Sequence, residues 1–254
     1  MNRAELLAQW RREASLGMTG WDFSHLDGRY LPPTLPWDYA AKARDFLKPG
    51  VRLLDMGTGG GEFLLTLGHP YALTSVTEGW PPNLALCQQR LTPLGITVKA
   101  YDSEQGQPLP FPDDSFDLVL SRHESYDLPE VRRVLKNGGY FLTQQVGGEN
   151  DLPLIRRLLP GYPGSFVGFN LENELPKFRA AGFRVLQSLQ SYGEGRFLDV
   201  GVVVYQMSVC PWECPGFSVD RCQDALFQLQ DQLEHLGFLP NLEHRFLIVA
   251  KNRK

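Results

Sequence analysis

Four glycines fill five positions, Gly57 to Gly61, in the stretch "LLDMGTGGGEF", directly behind an apolar run that ends in an acid, Asp55. An apolar run that stops at glycines reads as a buried strand giving way to a tight turn and a helix. A fold built around such a turn repeats the unit, and the downstream sequence does so. "ALTSVTE" reads as a second strand and "PPNLALCQQRLTPLG" as a helix with proline in its first turn, followed by "ITVKAYD" as a third strand and "FDLVLSR" as a fourth. "LPEVRRVLKNGG" reads as a helix with a glycine stop and "YFLTQQV" as a fifth strand. Later, "RVLQSLQSY" and "EHRFLIVAK" supply strands six and seven, with "LENELPKFRAAGF" a helix before the former. Right-handed crossovers between such units predict an α/β fold: a Rossmann-like, doubly wound, mostly parallel seven-stranded sheet with helices on both faces.

Around this core the sequence predicts one domain spanning 1–254. Residues 1–48 form an N-terminal helical cap, 49–192 the ligand-binding core, and 193–242 a cap or insertion before the last strand at 243–250. The cap sections hold "WDFSHLDGRY", an apolar segment from Phe197 to Val209, a turn "CPWECPGF" and an amphipathic helix "DRCQDALFQLQDQLEHLG". The N-terminus is charged and lacks an apolar h-region, and the longest strongly apolar stretch, Val200 to Val209, is about half of what a spanning helix needs. The expectation is a cytoplasmic protein with no membrane partner. A formal net charge of −4 without a dense Lys/Arg block argues against nucleic acid as the main partner.

Three chemistries compete for the glycine turn. A phosphate-binding loop needs Lys-Ser/Thr after its last glycine, and here Glu62 and Phe63 follow Gly61. A dinucleotide fingerprint counted from Gly57 and Gly59 needs a third glycine where Glu62 stands. The pattern acid-x-G-x-G-x-G is filled at every slot by Asp55, Gly57, Gly59 and Gly61, with Thr58 between the first two glycines. With this pattern the chain resembles the class I S-adenosylmethionine (SAM)-dependent methyltransferases. A turn without side chains lets the backbone lie against an amino-acid tail and a ribose, and the cationic ammonium and sulfonium of SAM suit a neighbouring carboxylate.

Further acids follow in order. Glu78 ends strand two, followed by Gly79 and Trp80; a carboxylate there accepts both hydroxyls of a ribose, and Trp80 forms a wall of an adenine slot or packs in the core. Asp102, with Ser103, closes strand three, where the family commonly holds the adenine amino group. "LPFPDDSFDLVLSRHES" and "VRRVLKNGGYFLTQQ" are similar to the L-P-F-x-D-x-S-F-D-x-V and E-x-x-R-V-L-K-P-G-G stretches of bacterial methyltransferases related to those of ubiquinone and menaquinone biosynthesis, with Asn137 in place of proline. The resemblance runs from about Val51 to Val146. It implies SAM as the cofactor and methyl transfer by in-line displacement as the activity.

The fourth strand tip, Ser121, Arg122, His123 and Glu124, then faces the methyl group. Ser121 and Arg122 join the cofactor contacts; His123 is the candidate base and Glu124 its orienting or catalytic partner. Capping of the strand–helix junction, or contact with the methionine tail of the cofactor, is the alternative for both. Trp21, Phe23, His25, Arg29, Tyr30 and Trp37 are expected as a lid or as cap packing, and Arg29 and Arg122 as holders of a carboxylate or as surface partners of acids. Cys210, Cys214 and Cys222 lack both the spacing of a radical-SAM cluster and a fourth ligand for zinc, so no metal is expected. The reading is a methyltransferase acting on a small molecule. An RNA or protein methyltransferase, a SAM-binding protein without turnover and an NAD(P)-linked oxidoreductase stand as alternatives.

Overall fold

Apolar runs of four to seven residues, too short for stable helices and flanked by glycine, proline and acids, become the central strands. A computed structural model describes all residues 1–254. In chain order the elements are α1 (Arg3–Ala14), β1 (Tyr30–Leu31), α2 (Tyr39–Phe46), β2 (Leu53–Met56), α3 (Glu62–Thr66), β3 (Thr74–Glu78), α4 (Pro81–Arg90), β4 (Thr97–Ala100) and β5 (Phe116–Arg122). They continue with α5 (Leu128–Val134), β6 (Leu135–Val146), α6 (Leu152–Leu158), α7 (Leu171–Ala180), β7 (Phe183–Phe197), α8 (Val200–Val209), α9 (Gln223–Leu236) and β8 (Leu239–Asn252). No helix is long and apolar enough to cross a membrane.

The sheet runs β1-β7-β8-β6-β5-β2-β3-β4. The five strands from β6 to β4 are parallel, β8 is antiparallel to both β6 and β7, and β1 is antiparallel to β7. This is the expected doubly wound architecture with one strand more: Tyr30–Leu31, inside the aromatic loop, pairs with Phe197 and Arg196 at the sheet edge. Two residues leave no periodicity to read. Strand order reverses between β2 and β5, so ligands belong at the carboxyl ends of these two strands.

Alternate residues of β2 feed opposite faces. Leu54 and Met56 pack with Val119, Phe141 and Phe178; Leu53 packs with Val76, Leu118, Leu120 and Leu142. A third cluster gathers Leu6 and Trp10 of α1 with α6, α8 and α9. Its centre is α8, "VGVVVYQMSV", where burial on every side overrides the weak helix propensity of valine, and Asp199 caps the start by accepting from Val202 N (2.8 Å). α1 starts in a capping box, Asn2 and Glu5 each accepting from the other's backbone N–H.

The edges of several elements differ from their expected places. The helix expected through Gly139 ends at Val134, and β6 begins at Leu135, because Leu135 pairs with Phe116 of β5, the ladder resuming at Tyr140 opposite Leu118 after an irregularity. α6 was not expected. β7 and β8 are longer than their apolar cores suggest, reaching Phe197 and starting at Leu239, so the limits drawn at 193 and 242 fall inside strands.

Candidate functional site

Asp55, buried at the tip of β2, takes the Thr58 hydroxyl on Oδ2 at 2.7 Å. The turn then passes through Gly57 (φ 61°) and Gly59 (φ 63°), both left-handed and therefore natural for glycine alone. A Cβ on Gly57 would lie 2.5 Å from the Glu124 side chain, and one on Gly59 would lie 2.6 Å from Trp21 Cδ1. Both glycines are thus the floor of a cradle bounded by Glu124 on one side and Trp21 on the other. Cys87 of α4 donates its thiol to the Gly59 carbonyl (2.6 Å), and burial lifts its pKa to about 12, so it stays a thiol.

Glu78 stitches the neighbouring strand tip to this turn. Its Oε2 accepts from Gly59 N (2.8 Å) and its Oε1 from Trp80 N (3.0 Å). Each oxygen keeps a second lone pair, so the ribose role expected for it remains open beside this structural one. Burial raises its pKa despite these backbone donors. Gly79 sits where a Cβ would meet the Tyr101 carbonyl at 2.9 Å and Asp102 at 3.1 Å, which brings the tips of β3 and β4 together. Asp102 accepts from Glu104 N and Gln105 Nε2, and Ser103 pairs its hydroxyl with that of Ser125 (2.6 Å). Trp80 is exposed, 6.4 Å from Trp21, and Trp21 lies 5.8 Å from Trp212 and 6.3 Å from Phe23. Four aromatic side chains from three segments therefore rim the cradle.

Beyond β5 the chain turns sharply: His123 is left-handed (φ 63°) without being glycine, a strained state held by its surroundings. Gln145 of β6 supplies much of that hold, its Nε2 donating to the Glu124 carbonyl (2.9 Å) and to the Ser121 and Thr143 hydroxyls. Ser121 is fully buried and donates to the same carbonyl (2.9 Å), so it supports the loop and does not line the cradle. Arg122 is exposed and stacks over Phe63 (4.2 Å), close enough to Asp55 for its charge to favour the ionised carboxylate.

His123 is reached by solvent although protein surrounds it, as on the floor of a crevice. Burial, then the charges of Arg245 and Arg122, push its pKa well below the usual value, so the ring is neutral. Its Nε2 lies 2.9 Å from Gln144 Nε2. Gln144 Oε1 is occupied by the Trp37 indole N–H (2.7 Å), which fixes the amide so that its nitrogen donates to His123. The free nitrogen, Nδ1, then carries the hydrogen. His123 in this state offers a donor to the crevice, and taking a proton requires Gln144 to release Nε2.

The acids are mutually frustrated. Burial, then Glu78, Asp102 and Glu104, push Glu124 up to about 8. Burial pushes Asp55 up to about 6, although Thr58 and Arg122 pull the other way. A crevice holding this many carboxyls is short of a cation, and SAM brings one. Glycines that leave a cradle, acids around it and no basic phosphate grip fit that group.

The expected lid divides. Trp21 and Phe23 reach the rim. Arg29 does not: it makes two hydrogen bonds to Asp199 (2.6 and 2.8 Å) and also pairs with Glu13, which His25 shares. Trp37 and Tyr39 seal the tips of β5 and β6 from α2's end, the Tyr39 hydroxyl meeting the Ser121 and Leu142 carbonyls. Cys210, Cys214 and Cys222 are buried free thiols, the last two within the cap's apolar cluster. Gln144 and Gln145 have no sequence signature, because two glutamines near the end of a strand carry no spacing signal.

Comparison with known proteins agrees with this geometry. Residues 54–143 match the family model for a methyltransferase domain. A fatty-acid O-methyltransferase of Mycolicibacterium smegmatis is 32% identical over 124 residues, 45% of this chain and 44% of its own length. Phthiotriol/phenolphthiotriol dimycocerosates methyltransferase 1 of Mycobacterium ulcerans is 35% identical over 124 residues, with the same two shares. The matched segment thus spans less than half the length of these relatives. Among solved structures, one from Bacillus halodurans described as a methyltransferase superposes with TM-score 0.58 at 17% identity, covering 85% of this chain and 99% of that chain. The [4+2]-cyclase SpnF superposes with TM-score 0.52 at 18% identity, covering 99% and 93%. The likeness to both is one of fold. The family match begins at the cradle and runs through β6, so residues 54–143 of this chain are similar to a methyltransferase domain.

Proposed function

We propose that the protein transfers a methyl group from SAM to a small-molecule acceptor with an apolar body. The observation that carries this reading is the pair of left-handed glycines, Gly57 and Gly59, set among Asp55, Glu78 and Glu124. Bound there, SAM supplies a methyl group activated by its positively charged sulfur. The protein's own residues bind, orient and exclude water. Gly57 and Gly59 give the amino-acid tail and ribose access to the backbone. Glu78 offers its two remaining lone pairs to ribose hydroxyls, and Asp102, beside Gly79, accepts from the adenine amino group. Asp55 and Glu124 supply negative potential to the cationic end. His123, at the junction of crevice and sheet tip, donates from Nδ1 to the acceptor and takes a proton only after Gln144 turns away.

The apolar body of the acceptor is supported by the rim. Trp21 is 42%, Trp80 44% and Trp212 44% exposed, an unusual display of tryptophan around one opening. Relatives named for fatty-acid and dimycocerosate substrates point the same way. An acid-lined crevice also disfavours a polyanionic acceptor such as RNA. SpnF carries this fold under the name of a cyclase, so the fold does not choose the reaction and the site must.

The test is incubation with SAM and either lipid and metabolite extracts or total RNA, following S-adenosylhomocysteine release and the mass gain of the acceptor. Release with the small-molecule fraction supports the proposal; release with RNA alone contradicts it.

A further inference from the structure

β8 pairs with β6 only as far as Arg245 opposite Val146, whereas the β7–β8 ladder continues to Phe197 opposite Leu239. Residues 239–244 therefore overhang the carboxyl edge of the parallel strands by roughly 20 Å. Asn241, Glu243 and Arg245, at every second position, share one face of that overhang. That face continues past Leu247, opposite Gln144, whose amide holds His123. The overhang, with the Gly147–Asp151 loop bonded along its edge at His244 and Leu242, thus stands beyond His123, whose ring feels the charge of Arg245, on the side away from the cofactor cradle.

A polar cluster sits on this overhang. Asn241 Nδ2 donates to Asp151 Oδ1 (2.6 Å) and contacts the Tyr30 hydroxyl (3.3 Å). Tyr30 donates to Glu243 (2.5 Å), which also pairs with Arg245 (3.3 Å). Gln206 of α8 donates to the second oxygen of Asp151 (2.7 Å), and Glu213 packs against Asp151 from the turn after α8. Asp151 is left-handed (φ 56°) and 1% exposed, a second strained non-glycine residue facing this end of the sheet.

Two features are unbalanced. Asn241 is 4% exposed and its Oδ1 has no partner, an acceptor left open in the interior. Three carboxyls, Asp151, Glu213 and Glu243, face one guanidinium, Arg245, so the cluster lacks both a donor and a positive charge. Burial, then Asp151, push the Glu213 pKa well above the usual carboxylate range, so Glu213 keeps a proton beside Asp151 that a bound cation would displace. Glu213 is half-buried and Tyr30 only partly covered, which leaves the cluster open on that side.

We propose that this cluster is a second binding site, which anchors a protonated amine on the acceptor molecule between Glu213, Asp151 and the open Asn241 carbonyl. One ammonium group supplies N–H donors to all three and restores the charge balance. A carboxylate head is repelled by the same residues, which separates this acceptor from a free fatty acid. The assignment rests on the small-molecule reading of the crevice, but binding to it is measured without methyl transfer.

The experiment uses octylammonium, octanol and octanoate as probes, with melting temperature and calorimetry on the full chain, with and without S-adenosylhomocysteine. Octylammonium is expected to stabilise the protein while octanol and octanoate do not, and Glu213→Gln is expected to weaken octylammonium about tenfold. Asn241→Leu is expected to do the same. Should it fail to fold by circular dichroism, the probe preference of the unaltered protein and of Glu213→Gln decides alone. Equal responses to octanol and octylammonium, a preference for octanoate, or unchanged affinity in folded Glu213→Gln overturns the proposal. Binding of adenosyl ligands without octylammonium binding removes this inference alone; the converse removes the cofactor reading alone.

Discussion

Gly59 does two things no other residue does in its place: it adopts φ 63°, and it leaves room where a Cβ would strike Trp21. Gly59→Val is expected to cost about 1–3 kcal/mol of stability, as a β-branched residue in the left-handed region, and to abolish adenosyl-ligand binding. Chemical denaturation and calorimetry on the same preparation separate the two effects. Glu124 gives a pH signature. Its folded pKa, about 8, lies above its ordinary value of 4.5, so the folded state holds the proton longer. Its contribution to stability is therefore fully present below pH 4.5 and is lost as pH rises through about 8. Glu124→Gln should remove that pH dependence, raising stability relative to the native chain by on the order of a few kcal/mol above pH 8. The measurement is the difference between the two proteins' denaturation curves across pH. By the same linkage, binding a cationic ligand beside Glu124 releases a proton near neutrality, so affinity for SAM falls more steeply on acidification than affinity for the uncharged thioether product. His123→Ala should slow turnover with little change in cofactor affinity, read as a fall in kcat with the cofactor Kd unchanged. At this scale the sequence was legible where chemistry is local. Asp55, Glu78 and Asp102 end three adjacent strands, and spacing from a glycine turn finds them. The tautomer of His123, set by Trp37 through Gln144 from 86 and 21 residues away, has no sequence signature.

Elements are recovered from sequence to the extent that they bury one repeating pattern. The parallel strands do, and α1, α4, α7 and α9 do. β1 fails because two residues carry no period. α6 fails because "LPLIRRL" makes under two turns and is helical only against the cap cluster. β6 starts earlier than its apolar run: "KNGG" has the look of a helix stop, while the neighbouring strand recruits Leu135 into the sheet. The long β7–β8 overhang depends on pairing between segments that are each without a signal of their own, and with it goes the polar cluster of Asn241, Glu243 and Arg245. The cap tie belongs to this scale too. Arg29 joins Glu13, from the end of α1, to Asp199, the cap of α8. Arg29→Ala leaves two acids facing each other and should cost about 1–2 kcal/mol, discounted for partial exposure, without a direct loss of cofactor affinity. Thermal denaturation beside calorimetry reads both.

Over the whole molecule, a glycine cradle among acids lies on the β2–β3 side, rimmed by tryptophans, and a buried polar cluster on β7 and β8 lies on the other side, beyond His123. The sheet order dictates this, since strand order reverses between β2 and β5 and the antiparallel β8 lies beyond β6. Everything functional hangs on the cradle taking an adenosyl amino acid. The most direct test is calorimetry of the intact chain and of Gly59→Val against SAM, S-adenosylhomocysteine and NADH. Both adenosyl ligands are expected to bind the intact chain, NADH is not, and Gly59→Val is expected to bind none of them. Binding of NADH in preference to SAM, or SAM affinity unchanged in Gly59→Val, would contradict this expectation.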